Sequence, residues 1–172
     1  MELQEQNWHR FCRYHAGDWH GIWLDYSATG EVLDSKRCVR SFRVEDNGNQ
    51  VHHQNHYTYK DGRQETNTFG PYYKPRTRSL FLDRCFSWGT LENGTNSQLG
   101  FETGFRHENR RMSVAAVCDR AAGWKQFVII TEHLDSWGAE PEAIAISEPA
   151  NWRGTAKTMT PDLHISPAIA IP

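Results

Sequence analysis

The sequence has no segment suited to crossing a membrane or entering the secretory route. Its opening, Met1-Glu2-Leu3-Gln4-Glu5-Gln6, lacks the apolar core of a signal peptide. No apolar run approaches the roughly 18 residues that a helical span requires. A cytoplasmic chain with no membrane span is therefore expected. Basic excess is also missing. The 19 Lys and Arg against 21 Asp and Glu leave a formal charge of −2, so nucleic acid is not an expected partner. The four cysteines, Cys12, Cys38, Cys85 and Cys118, are scattered without a C-x-x-C pair. Neither a zinc site nor a disulfide framework is expected from them, and the thiols should be free. G-x-S-x-G, G-x-G-x-x-G and phosphate-cradling glycine loops are all absent. That leaves no support for nucleophilic hydrolysis or a nucleotide cofactor, and no cofactor is expected.

Aromatic rings are abundant. Phe, Trp and Tyr make up 12% of the 172 residues and include seven Trp, a composition that suits strands and apolar cavities. The length fits one domain, read as residues 1–160 followed by a tail at 161–172. Trp8, Phe11, Cys12 and His15 fall at i, i+3, i+4 and i+7, one stripe of a short helix that Gly17 can stop. From there the period changes to two. Strands are expected over Trp19–Tyr26, Lys36–Val44, Gln50–Tyr59 and Arg63–Phe69, the last ended by Gly70-Pro71. Further strands are expected over Arg78–Leu82, Cys85–Leu91, Leu99–His107, Arg111–Cys118 and Trp124–Glu132.

Turn chemistry separates most of these runs: Asp46-Asn47-Gly48-Asn49, Lys60-Asp61-Gly62, Glu92-Asn93-Gly94, Glu108-Asn109 and Ala121-Ala122-Gly123. Residues 134–150 read as a loop or short helix, and Asn151–Thr155 as a further strand-like piece. A meander of about eight to ten strands is expected to close, since closure removes exposed edges. The expected fold is all-β: a closed antiparallel barrel with a short N-terminal helix and room for one small ligand.

Alternation along the His-rich strand puts His53, Asn55, Tyr57 and Tyr59 on one face and His52, Gln54, His56 and Thr58 on the other. The first set mixes rings with hydrogen-bonding groups, as a ligand pocket does, and is taken as inward. His52 and His56 would lie about 13 Å apart on a strand, and His-x-His is absent, so no metal site is expected. Arg40 and Arg111 are candidates for inward charge. Each would then need a partner, either Glu132 or a ligand carboxylate; the alternative is that both lie outside or stack on Trp19. Trp23, Trp88 and Phe105 are candidate wall residues. His53, Tyr57 and Glu132 are the candidate acid/base groups if the protein is an enzyme.

Gly17-Asp18-Trp19, at the start of the first strand, resembles the lipocalin G-x-W signature, in which the Trp plugs the closed end of the barrel. Longer pieces are similar to a lipocalin-like (calycin) family common in cyanobacteria. They are Trp19-His20-Gly21-Ile22-Trp23, Val39-Arg40-Ser41-Phe42 and His53 through Gly62. Phe105-Arg106-His107-Glu108, Arg111-Met112-Ser113-Val114 and Ile129-Ile130-Thr131-Glu132 complete the set. Together they cover about residues 7–134. The phycobiliprotein lyases, barrels that carry a bilin, are a more distant likeness. Two departures stand out. Thr131 occupies a position where the family suggests Arg. That family also often continues into a second barrel, and Trp152-Arg153-Gly154 looks like its opening. That piece could instead close the first barrel or pair with a second subunit in a homodimer. The resemblance implies a carrier for a small hydrophobic or amphipathic molecule, such as a pigment or terpenoid. The alternatives are a cofactor-independent cyclase, isomerase or lyase of specialised metabolism, and an assembly module with its interior filled by side chains.

Overall fold

The computed structural model describes residues 2–75, 79–89, 98–119, 123–138, 154–160 and 162–171. It is all-β, with antiparallel strands and one short N-terminal helix, α1 (Leu3–Arg10), which continues into a wider helical turn at Phe11–His15. Nine strands form one sheet: β1 (Gly17–Ser27), β2 (Val32–Val44), β3 (Gln50–Tyr59), β4 (Gln64–Tyr73), β5 (Ser79–Phe81), β6 (Cys85–Gly89), β7 (Gln98–His107), β8 (Arg110–Asp119) and β9 (Gly123–Leu134). The order is β4-β3-β2-β1-β9-β8-β7-β6-β5, two meanders joined where β1 pairs with β9. No helix among the described residues is long and apolar enough to cross a membrane. The four cysteines are free.

The hairpins follow from their turn residues. Gly48 and Gly62, after Asn47 and Asp61, take positive φ, and Asn47 and Asp61 accept backbone N–H bonds two residues on. β3 spans the residues its alternation predicts. β4 runs further than expected, through Gly70-Pro71 to Tyr73. Val51 pairs with Tyr72 and His53 with Phe69, so β4 carries one extra residue in a bulge. Pro71 is tolerated because β4 is an edge strand.

The sheet is strongly curled. β2 and β7 are four strands apart, about 19 Å in a flat sheet, yet Arg40 on β2 touches Glu102 on β7 at 2.8 Å. Closure, however, is not shown. Among the described residues no ladder joins β4 to β5, and the expected closed barrel is a half-barrel. At one end α1 spans the gap instead. The Asn7 side-chain amide donates to Ser79 O and accepts from Phe81 N, both at 2.7 Å, pairing with β5 as a strand would. Trp8 Nε1 donates to Gly48 O at 2.7 Å, and Lys74 bonds Glu5. The helical stripe read from sequence faces inward here: Trp8, Phe11 and His15 are buried.

Residues 154–171 add a two-stranded ribbon, β10 (Gly154–Ala156) with β11 (Ile169–Ile171), so part of the tail pairs instead of trailing. The expected turns at Glu92-Asn93-Gly94 and Ala121-Ala122, the start of the Arg78–Leu82 strand, most of the 134–150 segment and Trp152-Arg153 lie outside the described residues.

Candidate functional site

The concave face is layered. Its sealed end is an aromatic plug. Phe11 stacks on Phe81 at 4.5 Å and meets Phe42, Tyr72 and Trp88, so one ring of the helical segment contacts β2, β4, β5 and β6. Trp19 is fully buried, and its Nε1 donates to His15 O at 3.0 Å.

Above the plug lies a belt of four charges. Arg111 and Glu132 are direct cross-strand partners; Nε and Nη2 reach Oε2 at 2.8 and 2.6 Å. Arg40 donates to Glu102 Oε1 at 2.8 Å and has Glu132 Oε1 at 3.5 Å. Ser113 Oγ and Trp88 Nε1 also donate to Glu102, at 2.7 and 2.8 Å. Two cations and two anions cancel. Burial alone would raise the Glu102 carboxyl, but the charge and hydrogen bond of Arg40, aided by Ser113, hold it at about 2. The two guanidiniums lie against aromatic faces, Arg111 over Trp19 at 4.1 Å and Arg40 over Trp23 at 4.5 Å. Both arginines are therefore inward and paired, Arg111 with Glu132 and Arg40 chiefly with Glu102, and of the two only Arg111 stacks on Trp19. The space for the Glu132 side chain comes from Gly21, where a Cβ would collide with Glu132 Cγ and Thr131 O.

Beside the belt, β3 presents a connected polar chain. His53 Nε2 lies 2.9 Å from Asn55 Oδ1, which only accepts, so Nε2 carries the proton and Nδ1 accepts from Tyr72 Oη at 2.9 Å. Asn55 Nδ2 donates to Tyr57 Oη at 2.8 Å. Burial, with the Arg40 charge nearby, lowers His53 to about 3, so it is neutral. Burial raises Tyr57 to about 12.

The far end is different. Trp23, Cys38, Tyr57 and Ile130 are buried and form a floor, with Trp23 and Tyr57 edge to face at 5.3 Å. Tyr59, Ala115 and Val128 pack against this floor but remain only half-buried. Beyond the floor, Lys36 and Gln126 both donate to Asp25, which is itself buried.

The structure therefore brings His53, Asn55, Tyr57, Trp23, Arg40, Arg111 and Glu132 onto one face. His53 and Glu132 stay in separate networks, the histidine chain and the charge belt. Trp88 belongs to the plug and not to the far end. Tyr59 sits at the rim, bonded to Glu65 Oε2 at 2.8 Å. Phe105 is a correction. Glu102 and Gly104 point inward, which turns Phe105 outward, and it is 70% exposed. Sequence reasoning missed Glu102. Its signal was Gly100-x-Glu102-x-Gly104, a carboxylate flanked on its own face by two residues without side chains.

Fold and site define a curled antiparallel half-barrel with a charge-neutralised polar core, an aromatic plug at one end and half-buried apolar side chains at the other. The chain belongs to the DUF3598 family, whose N-terminal domain, a domain of unknown function, matches residues 4–137. A crystal structure of a DUF3598 protein of unknown function from Nostoc punctiforme PCC 73102 is similar in fold, with a TM-score of 0.71 and 24% identity. The match covers 95% of this chain and 59% of that one, so this chain spans well under two thirds of its neighbour's length. No curated protein matches the sequence.

Proposed function

We propose that the far end of the half-barrel binds a small apolar or amphipathic molecule of pigment or terpenoid kind, in the manner of a lipocalin-like carrier. The observation that carries this is the burial gradient along the concave face. Inward-pointing Tyr59, Ala115 and Val128 stay half-buried around a buried floor of Trp23, Cys38, Tyr57 and Ile130, apolar groups with the polar Asp25, Lys36 and Gln126 beside them. The bound end of the ligand is uncharged, because Arg40 and Arg111 are already neutralised by Glu102 and Glu132. Retinal or β-ionone should quench Trp23 fluorescence with micromolar affinity, and retinoic acid should bind at least about tenfold more weakly. Failure of all three to bind would overturn the proposal. A co-purifying pigment or lipid in native mass spectra would name the ligand class.

One observation favours a second function, a cofactor-independent cyclase, isomerase or lyase. The chain Tyr72–His53–Asn55–Tyr57 ends on a phenol at the floor of the concavity, where a proton could be delivered. In that case Tyr57→Phe abolishes turnover with little loss of affinity; in a carrier it leaves function intact.

A further inference from the structure

Antiparallel sheets with one covered face ordinarily turn polar side chains outward. On β1, β9, β8 and β7 the convex face does the opposite. The cross-strand registers align Ile22, Thr131, Met112 and Phe105 in one row. Leu24, Ile129, Val114 and Thr103 form the next. Tyr26, Phe127, Ala116 and Phe101 form the third. None of these positions is charged in a chain that is 23% charged overall. Trp124 extends the third row, its ring 5.5 Å from Phe127 and 6.0 Å from Phe101. Phe105, Met112, Trp124 and Phe101 are 70, 49, 49 and 41% exposed. A row of His20, His133, Arg110 and His107 borders the patch at one end, where Trp137 and Gly138 of the same chain already pack on His20 and His133.

Four strands at about 4.8 Å and three rows at about 6.8 Å give an uncharged core of about 400 Å². A polar rim one residue deep brings the footprint to about 800 Å², the size each partner contributes to a stable protein interface. Within the uncharged core Phe101, Thr103, Phe105 and Met112 are exposed, Ala116 is buried and the remaining side chains are half-buried, and an uncharged patch of a few hundred Å² is often functional. A single patch suffices for a twofold contact, the commonest form of oligomer, and two such sheets can pack face to face about 10 Å apart.

We infer that this convex face is the contact between two copies of the chain, stacked sheet on sheet through the β1-β9-β8-β7 rows. The contact lies on the opposite side of the sheet from the concave site and is independent of its proposed ligand. Sedimentation velocity from 1 to 100 µM tests it on the wild-type chain and on Val114→Arg and Phe105→Ser. Wild type should sediment at twice its 19.9 kDa mass. Val114→Arg, at the centre, should weaken dimerisation at least about 30-fold, as loss of a hot spot does. Phe105→Ser, at the end of a row and 70% exposed, should weaken it less while leaving the circular dichroism spectrum unchanged. A wild-type monomer throughout the range would overturn the inference. So would a dimer that persists undiminished in a folded Phe105→Ser or Val114→Arg variant.

Discussion

Mild acid should loosen this protein well before its carboxylates protonate, because two histidines are buried as neutral rings. His53 is lowered to about 3 and His15 to about 4, both mainly by burial, from an ordinary 6.5. A ring that resists protonation only when folded contributes stability that is complete above pH 6.5. That stability is lost as pH falls toward the folded value, since the unfolded chain takes up the proton first. At pH 5 the loss is about 2 kcal/mol for each ring, about 4 kcal/mol together. With a urea dependence of about 2 kcal/mol per molar for a chain of this size, the midpoint should fall by about 2 M between pH 7.5 and 5. Urea titrations followed by circular dichroism measure this directly. His53→Gln keeps an amide able to bond Asn55 but cannot titrate, so its midpoint should fall by only half as much. A midpoint that stays constant from pH 7.5 to 5.5, or an equal fall in His53→Gln, would refute the reasoning.

Arg111→Met leaves Glu132 buried with only the Arg40 contact at 3.5 Å, and should cost about 3–5 kcal/mol in urea unfolding. Arg111→Met with Glu132→Met should recover most of that, since Arg40 retains Glu102. Gly21→Ala places a methyl against Glu132 and Thr131 O, and should cost about 1–3 kcal/mol or more in the same assay. Phe11→Ala removes the ring that links α1 to β2, β4, β5 and β6, and should cost about 3–5 kcal/mol.

Local chemistry made the strands legible. Gln50–Tyr59 alternates cleanly between Asp46-Asn47-Gly48 and Asp61-Gly62, so both its limits and its inward face follow from the residues. The partnership of Arg40, Arg111 and Glu132 was also within reach, because two arginines at inward positions require buried anions. Closure was not. Whether β4 meets β5 depends on how far the sheet curls and on where α1 docks, and Asn7 pairing with β5 has no sequence signature. Phe105 misled because an apolar side chain on a strand is ordinarily assigned to the core. Here the inward positions of β7 belong to Glu102 and Gly104, and the apolar residues point outward. Glu102 went unseen for the same reason, since a carboxylate inside a β-rich run reads as a solvated position.

An uncharged apolar molecule is proposed to bind at the half-buried concave end, above Trp23, Tyr57 and Ile130. The most direct test is an NMR titration of the labelled protein with β-ionone, following indole and methyl resonances. Shifts should concentrate on Trp23, Ile130, Ala115 and Val128 and leave Val114 and Ile22 on the convex face unmoved. Saturating ligand without shifts at those concave residues, or shifts confined to the convex face, would contradict the account.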